Sequence, residues 1–218
     1  MQGRLLAAAR PLLGEDVRLV GASRTDAGVH ALRQNVSVRS DRGVPTAAVV
    51  RALNAELPRD IRVLSCAEAP ADFDARRSAG GKRYGYVLQN GAIADPFLLR
   101  YAWHVPMPLD VDGMREALAH LRGRHDFSAF CASAGLDHEP TCTIAAVHVL
   151  RRRDRIGVFV SADRFLHHMV RNIVGSAVEV GRGARSPSWM RDVLASRDRR
   201  RAGPTAPAQG LTLIRVMY

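Results

Sequence analysis

The sequence predicts an α+β fold built in two halves, and three observations carry that reading. Stretches with helical apolar spacing interleave with short, alternating stretches that look like antiparallel strands. A charged, glycine-bearing segment, "RRSAGGK", separates two such sets. The length, 218 residues, suits one large domain or two small ones sharing a core.

The elements follow in order. Residues 2–13 place Leu5, Leu6, Ala9, Leu12 and Leu13 on one helical face, with Pro11 an awkward interior residue. "VRLVGA" reads as a strand, "GASRTDAGVHAL" (21–32) as a loop and "NVSVRS" as a second strand. A helix over 46–56 carries Val49, Val50, Leu53 and Leu57 at helical spacing; Pro58 ends it, and "IRVLSCA" (61–67) gives a further strand. The boundary falls near Gly80 and Gly81, giving halves 1–80 and 81–218, with the loop at 21–32 in the first. The second half offers the strand "RYGYVLQ", a helix over 111–121, strands near 143–150 and 156–162, and a helix over 165–180. A short helix, "SWMRDVLAS", follows Pro187, and the strand "LTLIRVMY" closes the chain. No sequence repeat recurs at a fixed period.

Composition narrows the function. Hydrophobic residues make up 47% and charged residues 24%, which is globular and excludes wholesale disorder. The net charge of +11 points to a polyanionic partner, a nucleic acid or an anionic membrane surface, or else to an arginine-rich composition without one. No apolar run approaches the ~20 residues of a membrane span. "MQGRLLAAARPLLG" lacks the apolar core of a signal peptide, so the expected location is cytoplasmic. Cys66, Cys131 and Cys142 form no C-x-x-C pair and read as reduced thiols. Zinc would need His138 with Cys142, or His167 with His168. Adjacent histidines on a helix point about 100° apart, so no metal site is expected.

The loop at 21–32 holds a lone acid, Asp26, between Ser23-Arg24-Thr25 and Ala27-Gly28. A carboxylate there can be a general base, a metal ligand, a nucleophile or a structural cap. Composition alone favours an Asx-turn between two strands. The full string decides otherwise. "GASRTDAGVHAL" resembles the signature loop of the tRNA pseudouridine synthase A family, and five further blocks resemble that family in the right order: "ALNAELPRDIRV", "DFDARRSAGGKRYGYVL", "GRHDFSAFC", "FLHHMVRNIVGSAVEVGRG" and "PAQGLTLIRVMY".

The resemblance implies a two-lobed catalytic domain with mostly antiparallel mixed sheets, helices packed on one face and a basic cleft between the lobes. It also implies a homodimer that uses no cofactor or metal, acting on uridines 38–40 of the tRNA anticodon stem-loop. Asp26 matches the family's catalytic aspartate, acting at the ribose C1′ or through a glycal. Arg171 matches the arginine that pairs with it, and Met169, Val170, Ile173 and Val174 predict that this helix is largely buried. Tyr84 matches the tyrosine that stacks on the base, with Tyr86 the expected core aromatic on the same strand face. Leu211 matches the apolar residue against the base, and Arg24 an arginine implicated in extruding the nucleotide. "RRRDR" (151–155), Arg182, Arg185 and "RDRRR" (197–201) are expected to supply several phosphate contacts.

The chain departs from the family pattern at its start. Members open with a strand bearing a Y-D-G…F-x-G-W-Q block, whereas this chain opens at "MQGRLL". The resemblance therefore implies that the first N-terminal strand is missing, through a misassigned start or a shortened protein. Arg33, Asp74 and Arg77 also differ from the usual residues. A second reading follows, a truncated and catalytically impaired RNA-binding or tRNA-folding protein. A third, an Asp-based phosphate-ester hydrolase, is weakened because no second acid accompanies Asp26 to hold magnesium.

Overall fold

The computed structural model describes residues 1–132 and 139–218. His138, weighed above beside Cys142, lies outside them. In chain order come α1 (Gln2–Leu13), β1 (Arg18–Gly21), β2 (His30–Ala31), β3 (Val36–Arg39) and α2 (Thr46–Glu56). There follow β4 (Gly81–Gln89), β5 (Trp103–His104), α3 (Val111–Ala119), β6 (Gly123–Asp126), β7 (Thr141–Arg152) and β8 (Arg155–Ala162). The last elements are α4 (Met169–Gly181), α5 (Trp189–Ser196) and β9 (Leu211–Met217). By packing, the chain divides into one unit of Met1–Arg24 and Gln34–Ala79, and another of Thr25–Arg33 and Gly80–Tyr218.

In the first unit, α1 and α2 bury Ala9, Leu13, Val49, Leu53 and the flanking Val17 and Leu57 in one small core. Pro11 is tolerated because it sits in the last turn of α1, where its missing N–H costs little more than one ladder bond. The orphan carbonyls at that end find partners: the Ser40 hydroxyl donates to Leu13 and Arg42 donates to Pro11. β1 and β3 form an antiparallel pair, from Arg18 opposite Arg39 to Gly21 opposite Val36.

The strand expected over 61–67 does not form. Ile61 and Val63 pack against the small core, but no ladder partner lies alongside them among the described residues. Both backbone groups of Val63 are instead taken by the Asn54 side chain, at 2.8 Å each. Arg62 folds back onto the carbonyls of Leu57, Pro58 and Ile61. A local side-chain network has replaced the ladder.

The second unit is built on one sheet of seven strands among the described residues, ordered β2-β9-β4-β8-β7-β6, with β5 also pairing β4. The long pairings are antiparallel; β2 on β9 and β5 on β4 are parallel. The fold is therefore α+β with a mostly antiparallel sheet. Ile156, Val158 and Val160 of β8 share one core with Met114, Ala117 and Leu118 of α3 and with Ile173, Val174 and Val178 of α4. "RRRDR" supplies the β7–β8 hairpin, where Arg153 takes a left-handed φ of 55°.

α4 starts later than its apolar spacing suggests. Residues 165–168 precede it, and His168 at its N-cap has a φ of 61°, which stops the helix from extending back to Phe165. None of the described helices is long and apolar enough to cross a membrane.

Cys131 and Cys142 are buried and Cys66 is exposed. Burial pushes both inner thiols up, that of Cys142 to about 11. A thiol-disulfide dye at pH 8 is expected to titrate one cysteine rapidly in the native chain and all three after denaturation. Two fast thiols in the native chain would contradict this packing.

Candidate active site

Asp26 opens a tight turn in which its carbonyl accepts from Val29 N–H at 3.1 Å. Gly28, the third turn residue, has a φ of +84°, as a type II turn demands and as only glycine adopts without strain. The turn leads into β2, which hydrogen-bonds in parallel with Thr212 and Leu213 of β9. Two short features thus hold the loop onto the sheet of the second unit. Its carboxylate is about a third exposed, at 29%.

Arg171 meets that carboxylate from the first turn of α4. Its Nη1 donates to Asp26 Oδ2 at 2.9 Å, and its side chain is 15% exposed. Its Nε donates to the Ala206 carbonyl at 2.8 Å, while Ala206 N–H returns a bond to the Arg171 carbonyl at 3.1 Å. The guanidinium is therefore aimed by backbone as well as by its counter-ion. As expected, Met169, Val170, Ile173 and Val174 are buried around it. The segment bearing Ala206 is tied to α4 at further points. Thr205 and Arg199 donate to Asn172 Oδ1, and Gly203 N–H donates to Ser176 Oγ.

Sequence reasoning missed the histidines. His168 Nε2 lies 3.1 Å from Asp26 Oδ2, and His167 Nε2 lies 3.5 Å from Oδ1. Their ring centroids lie 3.9 Å apart, with the planes tilted by 35°. The expectation that they diverge by a helical step fails because both precede α4, and the left-handed backbone at His168 turns the pair to the same side. One ligand atom each from Asp26, His167 and His168 falls within 4.8 Å of the others. Arg171, at 2.9 Å from the oxygen nearest His168, already supplies positive charge where a divalent cation would need that oxygen. The legible signal was "HHM" directly before an apolar helical run.

Tyr84 and Tyr86 share a face of β4, opposite Leu213 and Leu211 respectively. Tyr86 is fully buried and its hydroxyl donates to the Pro207 carbonyl at 2.7 Å; Tyr84 belongs to the same buried core. Tyr84 is 6% exposed and meets Phe165, from the loop before the histidines, edge-on at 4.9 Å. Leu211 begins β9 and is buried. Arg24 is exposed and belongs to the first unit.

The basic runs divide by role. Arg151, Arg152 and Arg153 are exposed at the hairpin. Arg185 lies over the Trp189 ring, and Arg182 pairs with Glu179. In "RDRRR", Arg199 is structural: it donates to Asn172, Thr205 and the Gly203 carbonyl, so it is not available to phosphate. Arg200 is paired with Asp198.

Comparison with known proteins adds a family. Residues 117–218 match a family profile described as tRNA pseudouridine synthase. The chain is similar to tRNA pseudouridine synthase A of Myxococcus xanthus, 47% identical over 208 residues, which are 95% of this chain and 78% of that protein. It is similar to the proteins of that name from Brevibacillus brevis and Moorella thermoacetica, at 41% and 43% identity, over all of this chain and 89% of each.

Proposed function

The chain belongs to the tRNA pseudouridine synthase family, and from that premise we propose that it is an isomerase converting tRNA uridine into pseudouridine, with Asp26 as nucleophile and uridines 38–40 of the anticodon stem-loop as its targets. The reaction breaks the N1–C1′ bond, forms a C5–C1′ bond, moves a proton onto N1 and releases the C5 proton to water. Atoms and electrons balance without redox chemistry or an energy source.

The observation that carries the reading is the Asp26–Arg171 pair. A nucleophilic carboxylate must stay charged while a nucleotide displaces its water, and a fixed guanidinium offsets that desolvation. Asp26 then attacks C1′ directly or assists departure of the base through a glycal. Tyr84 stacks on the extruded base and serves proton transfer at C5, and Leu211 packs against the ring. Arg24 assists extrusion, which costs a few kcal/mol. The exposed arginines at 151–153 reach the RNA backbone, so affinity falls steeply with salt. The protein works in the cytoplasm as a homodimer. Ile93, Phe97, Leu99 and Tyr101, exposed around the 3₁₀ turn Pro96–Leu98, offer apolar surface to that contact.

The test is tritium release from tRNA carrying 5-³H-uridine. Label is expected to appear in water from wild-type substrate and not from tRNA with cytidine at positions 38–40. Release that persists from the substituted tRNA overturns the target. Binding without any release overturns the isomerase and favours the RNA-folding reading.

A further inference from the structure

Asp26 has two oxygens in unequal surroundings. Oδ2 has both Arg171 Nη1 at 2.9 Å and His168 Nε2 at 3.1 Å, whereas Oδ1 has the more exposed His167 ring at 3.5 Å. Resting on the reading above, we propose that His168 is a positioning residue that, with Arg171, holds Asp26 by Oδ2 and leaves Oδ1 to act on the nucleotide. The two holders differ in kind. Arg171 supplies charge, and His168 supplies a second fixed contact that stops the carboxylate from turning about its Cβ–Cγ bond.

The backbone at His168 argues for a role beyond capping. Three non-glycine residues among those described have positive φ: Arg153, His168 and Arg197. Arg153 lies in a hairpin turn and Arg197 at a helix C-cap, both ordinary places for a left-handed residue. His168 lies at an N-cap, where an extended backbone is usual, and its side chain makes no capping bond. A left-handed non-glycine residue is held at a cost, so the surroundings must impose it. Here it carries the ring back over Asp26.

The protonation state fits. Burial, with His167, Arg171 and Arg199 acting in the same direction against the pull of Asp26, holds the His168 imidazole below its ordinary value. The ring is therefore neutral at pH 7. It stands 3.1 Å from Oδ2 without adding a second full charge that would blunt the nucleophile.

The test compares two substitutions under saturating and limiting 5-³H-uridine tRNA, beside wild type and Asp26→Asn. His168→Asn tolerates the left-handed backbone but is too short to reach Oδ2. His168→Gln reaches with an amide N–H. We expect His168→Asn to lower kcat by about 10²-fold with KM within about threefold, and His168→Gln to keep most of the wild-type kcat. Both should melt near wild type. The inference is overturned if His168→Asn keeps wild-type kcat, if His168→Gln is slowed as much as His168→Asn, or if the loss falls on KM alone. Wild type releasing no tritium sinks the isomerase reading and this inference together. Active wild type, inactive Asp26→Asn and fully active His168→Asn sink only the inference.

Discussion

Asp26→Asn is expected to lower the single-turnover rate of tritium release by about 10⁴-fold or more, while tRNA affinity stays within about threefold. The substitution changes almost no volume, and the amide oxygen can still accept from Arg171. What disappears is the charge and the electron pair offered to the sugar. The structural cost is smaller. Arg171 loses its counter-ion but keeps the Ala206 carbonyl, and the pair is partly exposed, so stability should fall by only about 1–2 kcal/mol. A 10⁴-fold rate loss is about 5.5 kcal/mol, so the catalytic effect dominates whatever the folding effect is. Filter binding and tritium release on the same preparation separate the two. A variant within tenfold of wild type would remove Asp26 from the chemistry.

Much of this site was legible, but by different routes. α2 followed from local physics, because Val49, Leu53 and Leu57 repeat at helical spacing and Pro58 stops the run. The partnership of Asp26 with Arg171 spans 145 residues, and no local periodicity reports it; it came through the resemblance. Where local pattern was trusted alone it misled in two places. "IRVLSCA" alternates like a strand, but a strand exists only with a partner, and Asn54 had already taken the backbone of Val63. "FLHHMVRN" has helical spacing from Phe165, yet one left-handed residue displaces the start of α4 and reverses the inference about both histidines. Arg199 shows the same limit in a charge run. Its neighbours in sequence are solvent-facing, while its own partners, Asn172 and Thr205, are set by the tertiary fold. β2, two residues long, has no period to detect, although it fixes where the Asp26 turn ends.

Gly175→Ala is expected to destabilise the chain by about 2–3 kcal/mol, roughly 5–10 °C in thermal midpoint, and to slow the reaction by about 10²-fold. Replacing glycine by alanine within a helix ordinarily gains about 1 kcal/mol. Here the added Cβ would stand 1.7 Å from the Pro204 carbonyl oxygen and 2.9 Å from its carbon. These are backbone atoms, so no side-chain rotation relieves the overlap, and the 203–206 segment must retreat by more than 1 Å, since a relaxed C···O contact needs about 3.3 Å. That segment is bound to α4 through Ser176, Asn172 and the two Arg171–Ala206 bonds. At about 1 kcal/mol for each bond strained or broken, the losses exceed the helix gain. The chemical effect arrives through Ala206, whose carbonyl aims the guanidinium at Asp26. Melting and tritium release therefore test separate links. A variant as stable as wild type refutes the close approach of the two backbones. One that melts early yet keeps full kcat shows that Arg171 is aimed by Asp26 alone.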